Sequence, residues 1–231
     1  MKREALIVAH GWPSAPDRAE EDITRLAEWV GRLLPDWRLG GATLATPGSL
    51  ETALGQFADP VIFPFFMSDG WFTRVELPRR LAAAHKPDLH RLSAFGTLPE
   101  TQDLAAEQVR AALSLRGLAA RDTGLLIAAH GSGRSPHPAA VAFTFRTFIE
   151  ESLDMKAIRV GFIEQHPEID LVAEDMPVQS LCLPLFVAHW GHVESDVPAA
   201  LERAGFAGDM LPALGQSHGA AQVIASAIAR A

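Results

Sequence analysis

The chain has only one cysteine, Cys182, and it lies inside an apolar run. A disulfide framework is therefore excluded, and a reducing cytoplasm is the expected compartment. No apolar stretch approaches the roughly 20 residues that a membrane-spanning helix needs. The one in MKREALIVAHG, at the start, is also too short for a signal peptide. Basic residues are in the minority. The 20 Lys and Arg face 28 Asp and Glu, for a net charge of -8, which argues against a nucleic-acid surface but leaves room for a local anion pocket. Two familiar phosphate-binding signatures are missing: there is no G-x-x-x-x-G-K-[ST] loop, and no G-x-G-x-x-G follows the first strand. Neither nucleotide hydrolysis nor a dinucleotide cofactor is expected, and an α/β-hydrolase nucleophile is not expected either.

What the chain does have is itself, twice. ALIVAHG at 5–11 matches LLIAAHG at 125–131, and His10 and His130 stand 120 residues apart. At the same offset Gly41 and Pro47 match Gly161 and Pro167, Pro64-Phe65-Phe66 matches Pro184-Leu185-Phe186, and Leu77-Pro78 matches Val197-Pro198. An internal duplication of this kind sets the architecture before any single element does. Two units follow, 1–118 and 119–231, joined by a short polar link near 115–124.

Each unit alternates strand and helix signals. Ala5–Ala9 is a short unbroken apolar run, as a strand buried on both faces requires. Between Asp17 and Leu34, Ile23, Leu26, Val30 and Leu33 fall at helical spacing, and Pro35 ends the segment. Strands are then predicted over 37–44, 61–67 and 89–95, with helices over 49–57, 76–85 and 100–115. The second unit repeats the series with strands at 125–129, 158–163, 180–188 and about 210–214. Its helices fall at 138–152, 168–174, 196–204 and 218–230. The predicted fold is α/β: two similar lobes, each a four-stranded parallel sheet flanked by helices.

Ligands of such sheets bind beyond the carboxyl ends of the strands. In the second unit His130 ends the first strand, Glu164 the second, and His189 and His192 follow the third. In the first unit only His10 stands at such an end. A constant offset sets Leu44 against Glu164 and Phe72 against His192. The same frame exists without the polar set, so the fold does not require it, and a functional reading of His130, Glu164 and His192 gains weight.

Other residues admit two readings. His189-x-x-His192 alone is a weak metal signal. His166 either joins the rim or leads into the next helix. Glu194 and Asp196 read as acidic residues at a helix start, favoured by the dipole. Ser132 to Ser135 form either an anion-binding turn or a plain one. Trp71 and Trp190 lie against a flat ligand or in the core.

A strand ending in AHGS, a strand ending in Glu before a proline, and PLF followed by G-H-V-x-x-D-V-P together resemble the class II chelatases of tetrapyrrole synthesis. These are the sirohydrochlorin cobaltochelatases and ferrochelatases, here in the long form with two fused units. The resemblance implies two α/β lobes facing a cleft, and ATP-independent insertion of a divalent metal into a macrocycle, in cobalamin or siroheme synthesis. It implies His130 and His192 as metal ligands and Glu164 as the acidic catalytic residue. Many fused members carry the histidine pair in the first unit, whereas this chain has Phe72 there.

Insertion exchanges two pyrrole protons for one M²⁺. Neutral imidazole suits cobalt, nickel and iron, and is a base with a pKa near ambient pH. The resemblance implies no tightly bound cofactor, since Co²⁺, Fe²⁺ or Ni²⁺ is a substrate. Its partner is a tetrapyrrole, with neither nucleic acid nor membrane involved, and a monomer is expected. The ring's carboxylates need anion contacts, for which Ser132, Arg134, Arg74 and His10 are the candidates. Two rival readings are a non-catalytic tetrapyrrole or metal carrier, and a metallohydrolase that would need a third ligand such as His189 or His166.

Overall fold

The computed structural model describes residues 2–231. The first unit begins with β1 (Arg3–Ala9), whose last five residues are buried on both faces. Helix α1 (Pro16–Leu33) places a proline in its first turn, where the missing N–H costs nothing. It buries Ala19, Ile23, Ala27 and Val30 at helical spacing. Strand β2 (Trp37–Thr43), helix α2 (Ser49–Gln56) and strand β3 (Val61–Pro64) follow. The three strands are parallel in the order β2-β1-β3. A π-helical turn, Phe72–Glu76, runs directly into α3 (Leu77–Ala83).

The fourth strand predicted over 89–95 does not form. Ile62 exchanges backbone hydrogen bonds with the segment His90–Leu92 as a single bridge, and the chain then turns away in a 3₁₀ turn, Phe95–Thr97. There the Gly96 N–H donates to the Phe66 carbonyl at 3.0 Å. The first sheet therefore has three strands, not four.

Next come α4 (Pro99–Arg116), β4 (Gly124–Ala129), α5 (His137–Ser152), β5 (Ala157–Phe162), α6 (Ile169–Glu174) and β6 (Ser180–Pro184). A second π-helical turn, His192–Asp196, enters α7 (Val197–Arg203), and a two-residue β7 (Asp209–Met210) closes a four-stranded parallel sheet in the order β5-β4-β6-β7. Every residue of β4 is buried. Leu126, Ala128, Ile169, Val172, Cys182, Val197 and Leu201 belong to one core cluster. Full burial pushes the Cys182 thiol up to about 12, so it stays a small apolar filler rather than a nucleophile. The last helix is α8 (Ala220–Ala229).

The compact units follow the repeat except at its closing helices. One unit runs to Leu98 and resumes at His218, and the other is Pro99–Ser217. Thus α4, the last helix of the first repeat, packs on α5 in the second unit. It is tied there by Gln108 to the Pro212 carbonyl at 2.8 Å and by Arg116 to Asp209 at 2.6 Å. Helix α8, the last of the second repeat, packs on α1 and β3 in the first unit. Relative to the sequence halves 1–118 and 119–231, these two helices are exchanged.

One ion pair braces the rim of the first unit. Arg80 grips both oxygens of Glu51 at 2.6 Å and also reaches the Leu44 carbonyl at 3.3 Å. That bidentate hydrogen bond holds the Glu51 carboxyl below its ordinary value of 4.5. A lowered carboxylate pKa stabilises the fold above the ordinary value, and the contribution is lost as pH falls through the lowered one. Arg80→Ala is expected to cost about 1 kcal/mol at pH 7, given the partial exposure of Glu51. Melting curves of the two proteins should draw together as pH falls below the ordinary carboxylate value, and a gap that does not narrow in acid would show that the charge pair is not the cause.

Candidate active site

His130 is the first residue beyond β4. Gly131, which follows it, has φ +71°, and an added Cβ there would lie 2.6 Å from the Gln165 side chain and 2.9 Å from that of Phe162. Only glycine turns the chain there without strain. The turn brings the Gly131 carbonyl to 3.0 Å from His130 Nδ1. A carbonyl only accepts, so Nδ1 carries the proton, and Nε2 keeps the lone pair.

His192 opens the second π-helical turn. Closure of that turn by the Val197 N–H onto the His192 carbonyl widens the first helical turn ahead of Pro198, which has no N–H to give. The two imidazoles meet edge to face, with ring centroids 4.7 Å apart and an angle of 84°. Both are partly open, with 40% and 44% of their side chains exposed, as exchange of a ligand requires. Phe186 lies beside His192, with centroids 6.3 Å apart.

Glu164 follows β5 and brings an oxygen to 3.8 Å from His130 Nδ1, an ion-pair distance rather than a hydrogen bond. Its backbone N–H donates to the His130 carbonyl at 2.9 Å, which fixes the two strand ends together. Three residues far apart in sequence thus share one rim. Among the described residues, no group of three or more His, Cys, Asp and Glu side chains is arranged to hold a metal ion. The arrangement is two imidazoles with a carboxylate beside them, not a closed three-ligand centre. His166 pairs with Glu168 at 3.0 Å and is not grouped with the two imidazoles as a third ligand.

The first unit carries the same frame with different chemistry. His10 follows β1, its Nδ1 lies 3.0 Å from the Gly11 carbonyl, and its ring meets Phe72 at 4.3 Å. Phe72 therefore fills the place of His192. The match of Leu44 to Glu164 needs correcting. Ala9 faces Thr43 across the first sheet, while Ala129 faces Phe162 across the second. The Ala45 N–H donates to the His10 carbonyl at 2.8 Å, as the Glu164 N–H does to that of His130. Ala45 is thus the counterpart of Glu164, because the second crossover is one residue shorter. Leu44 is a buried core residue.

The anion candidates fare unevenly. The Ser132 N–H is already given to Gln165 at 2.8 Å, and the Arg134 N–H to the Ser132 hydroxyl at 3.2 Å. Two of the loop's N–H groups are thus engaged within the protein, as in a plain turn. The Arg134 side chain is exposed on the same loop. Arg74 is held by Asp69 at 2.9 Å. Trp190 is buried in the core, whereas Trp71 is 58% exposed.

One segment that composition reading passed over also resolves here. Gly215-Gln216-Ser217-His218-Gly219 fits the G-x-S-x-G pattern of a hydrolase elbow. It follows a 3₁₀ turn rather than a strand, and the Ser217 hydroxyl donates to the Leu214 carbonyl at 2.7 Å, so no nucleophile is poised there.

Sequence missed one further residue of this site. Asp196 accepts a hydrogen bond from His192 Nδ1 at 2.6 Å. The available signal was the spacing of four residues between them inside a motif.

The CbiX family model matches residues 124–231, the stretch that contains His130, Glu164 and His192. The solved structure of CbiX, the terminal enzyme for biosynthesis of siroheme in denitrifying bacteria, is 42% identical over 99% of both chains, with a TM-score of 0.91. The chain belongs to the CbiX family of class II chelatases. A relative by sequence is the probable sirohydrochlorin cobaltochelatase of Halobacterium salinarum, 22% identical over 161 residues. That match covers 59% of this chain and 55% of the relative, so the chain spans about half the length of that curated protein. SirB from Bacillus subtilis, solved with Fe³⁺, shares the CbiX-like fold at a TM-score of 0.79 and 12% identity, over the whole chain and 95% of its own.

Proposed function

We propose that this protein inserts a divalent metal, Co²⁺ or Fe²⁺, into a sirohydrochlorin-type tetrapyrrole without ATP. The observation that carries the reading is the pair of edge-to-face imidazoles at 4.7 Å, each with Nδ1 engaged and Nε2 left as the ligand atom. His130 and His192 hold the incoming metal. Their neutral nitrogens bind cobalt, iron or nickel firmly enough to strip part of its water shell and weakly enough to release it.

The reaction balances as M²⁺ plus a ring with two N–H groups, giving the metallated ring and two protons. Glu164, beside His130, accepts a proton or orients that ring, and a histidine relieved of its metal takes the other. No redox step and no phosphoryl donor enters the balance. Arg134 is the candidate partner for a substrate carboxylate on this rim, as an exposed guanidinium on the loop that follows His130.

The test is turnover. Purified protein mixed with sirohydrochlorin and excess Co²⁺ or Fe²⁺ should shift the absorption spectrum of many macrocycles per protein molecule. A spectral change that stops at one equivalent would favour a carrier, and none with any metal would reject the reading.

A further inference from the structure

Asp196 and Glu76 occupy the same place in the two units, the last residue of the π-helical turn that starts at His192 or Phe72. Their partners differ. In the first unit Arg79, three residues on, takes both oxygens of Glu76 at 2.6 and 2.9 Å and holds its carboxyl below the ordinary value. In the second unit the position of Arg79 is Ala199, so no arginine competes for the carboxylate. Asp196 then turns to the imidazole, at 2.6 Å from His192 Nδ1.

We infer that Asp196 is the positioning residue of the site, fixing His192 as the tautomer with its proton on Nδ1 so that the Nε2 lone pair faces an incoming metal. This deepens the chelatase reading and rests on it. The physical reason is that a neutral imidazole has one donor and one acceptor nitrogen. An acceptor held against Nδ1 decides which is which, and it also prevents the ring from turning on its axis. His130 has the same assignment made by a backbone carbonyl. His192 has no such carbonyl partner, so a side chain supplies one. The π-helical turn makes this reach possible, because it brings the carboxylate four residues on to within hydrogen-bond distance of the ring.

Nitrogen NMR of the imidazoles reads the tautomer directly and needs no substrate. In the unaltered protein at a pH where His192 is neutral, the proton is expected on Nδ1; finding it on Nε2 overturns the inference whatever any variant does. In Asp196→Ala the proton should redistribute toward Nε2, and Co²⁺ titrated alone should bind about 10- to 100-fold more weakly. Turnover should show the loss chiefly in the KM for metal. Glu194→Gln removes an equal charge from the same turn and should leave Co²⁺ affinity unchanged within about twofold. A tautomer or Co²⁺ affinity that survives Asp196→Ala, or an equal loss in Glu194→Gln, overturns the proposal. If the tautomer behaves as stated but no macrocycle is ever metallated, the fault lies with the chelatase reading and not with the role of Asp196.

Discussion

Replacing His192 by alanine should abolish metal insertion, with a loss on the order of a thousandfold in turnover, while the melting temperature moves by no more than about 2 °C. The two halves of this expectation have separate reasons. His192 is 44% exposed, and its contacts are an edge-to-face meeting with His130, a tilted contact with Phe186 and the hydrogen bond to Asp196. The rings and carboxylate it touches are themselves only partly buried, so truncation leaves no cavity of consequence. It does remove one of the two imidazoles that meet at the rim. His10→Ala is the internal comparison. That ring packs on Phe72, on a strand end with no second imidazole and with Ala45 where Glu164 would stand. Its loss should cost less than about tenfold. Turnover of sirohydrochlorin with Co²⁺ measures both, and comparable losses in the two variants would mean that the chemistry is not on the second rim.

The second large effect is expected from a glycine. Gly215 sits in the 3₁₀ turn Leu214–Gln216 and gives its N–H to the Phe186 carbonyl at 3.0 Å. A Cβ added there would lie 2.1 Å from the Val187 carbonyl oxygen and 2.6 Å from Val187 Cα. These are backbone atoms of the strap that runs from β6 to His192, and they cannot swing aside as a side-chain tip can. Gly215→Ala should cost about 3 kcal/mol, lowering the melting temperature by roughly 6–12 °C for a chain of this size.

Gly96 holds the corresponding place in the first unit, with a Cβ at 2.1 Å from the Met67 carbonyl. Gly96→Ala should therefore melt early as well. At a temperature where both variants are folded, only Gly215→Ala should also lose turnover, because only its strap leads to an imidazole. Gly55, with nothing within 4 Å of an added Cβ, provides the neutral control. Calorimetry and turnover on the three variants test the point. A Gly215→Ala protein as stable and active as Gly55→Ala would show that this close approach is relaxed in solution.

The repeat, the buried strands and the long helices were legible because each rests on a local pattern. Ala5 to Ala9 is an unbroken apolar run, as an interior strand is, and of the helically spaced Ile23, Leu26, Val30 and Leu33 the first and third are buried while Leu33, in the last turn, is 40% exposed. That His130, Glu164 and His192 lie together was legible because strand ends in a parallel sheet share a rim. What failed to show depends on relations that no local pattern carries. A comparison at fixed offset has no means of seeing that one crossover is a residue shorter, so Leu44 stood in for Ala45. The predicted strand over 89–95 has suitable residues but pairs only at Arg91. The π-helical turns escaped because a proline two residues past an acidic pair also fits an ordinary helix start. Asp196 was passed over for the same reason. The informative contrast was with Arg79, whose place Ala199 takes.

The traded closing helices have a consequence for how such a duplicated gene drifts. Any substitution on the buried face of α4 is judged by α5 of the other repeat, and any on α8 by α1 and β3 of the first. The two copies therefore remain bound in their interiors, each vetoing changes in its twin, while their rims answer to no such check. A chain severed at Gly117 would yield two fragments that are each missing a piece of their own wall.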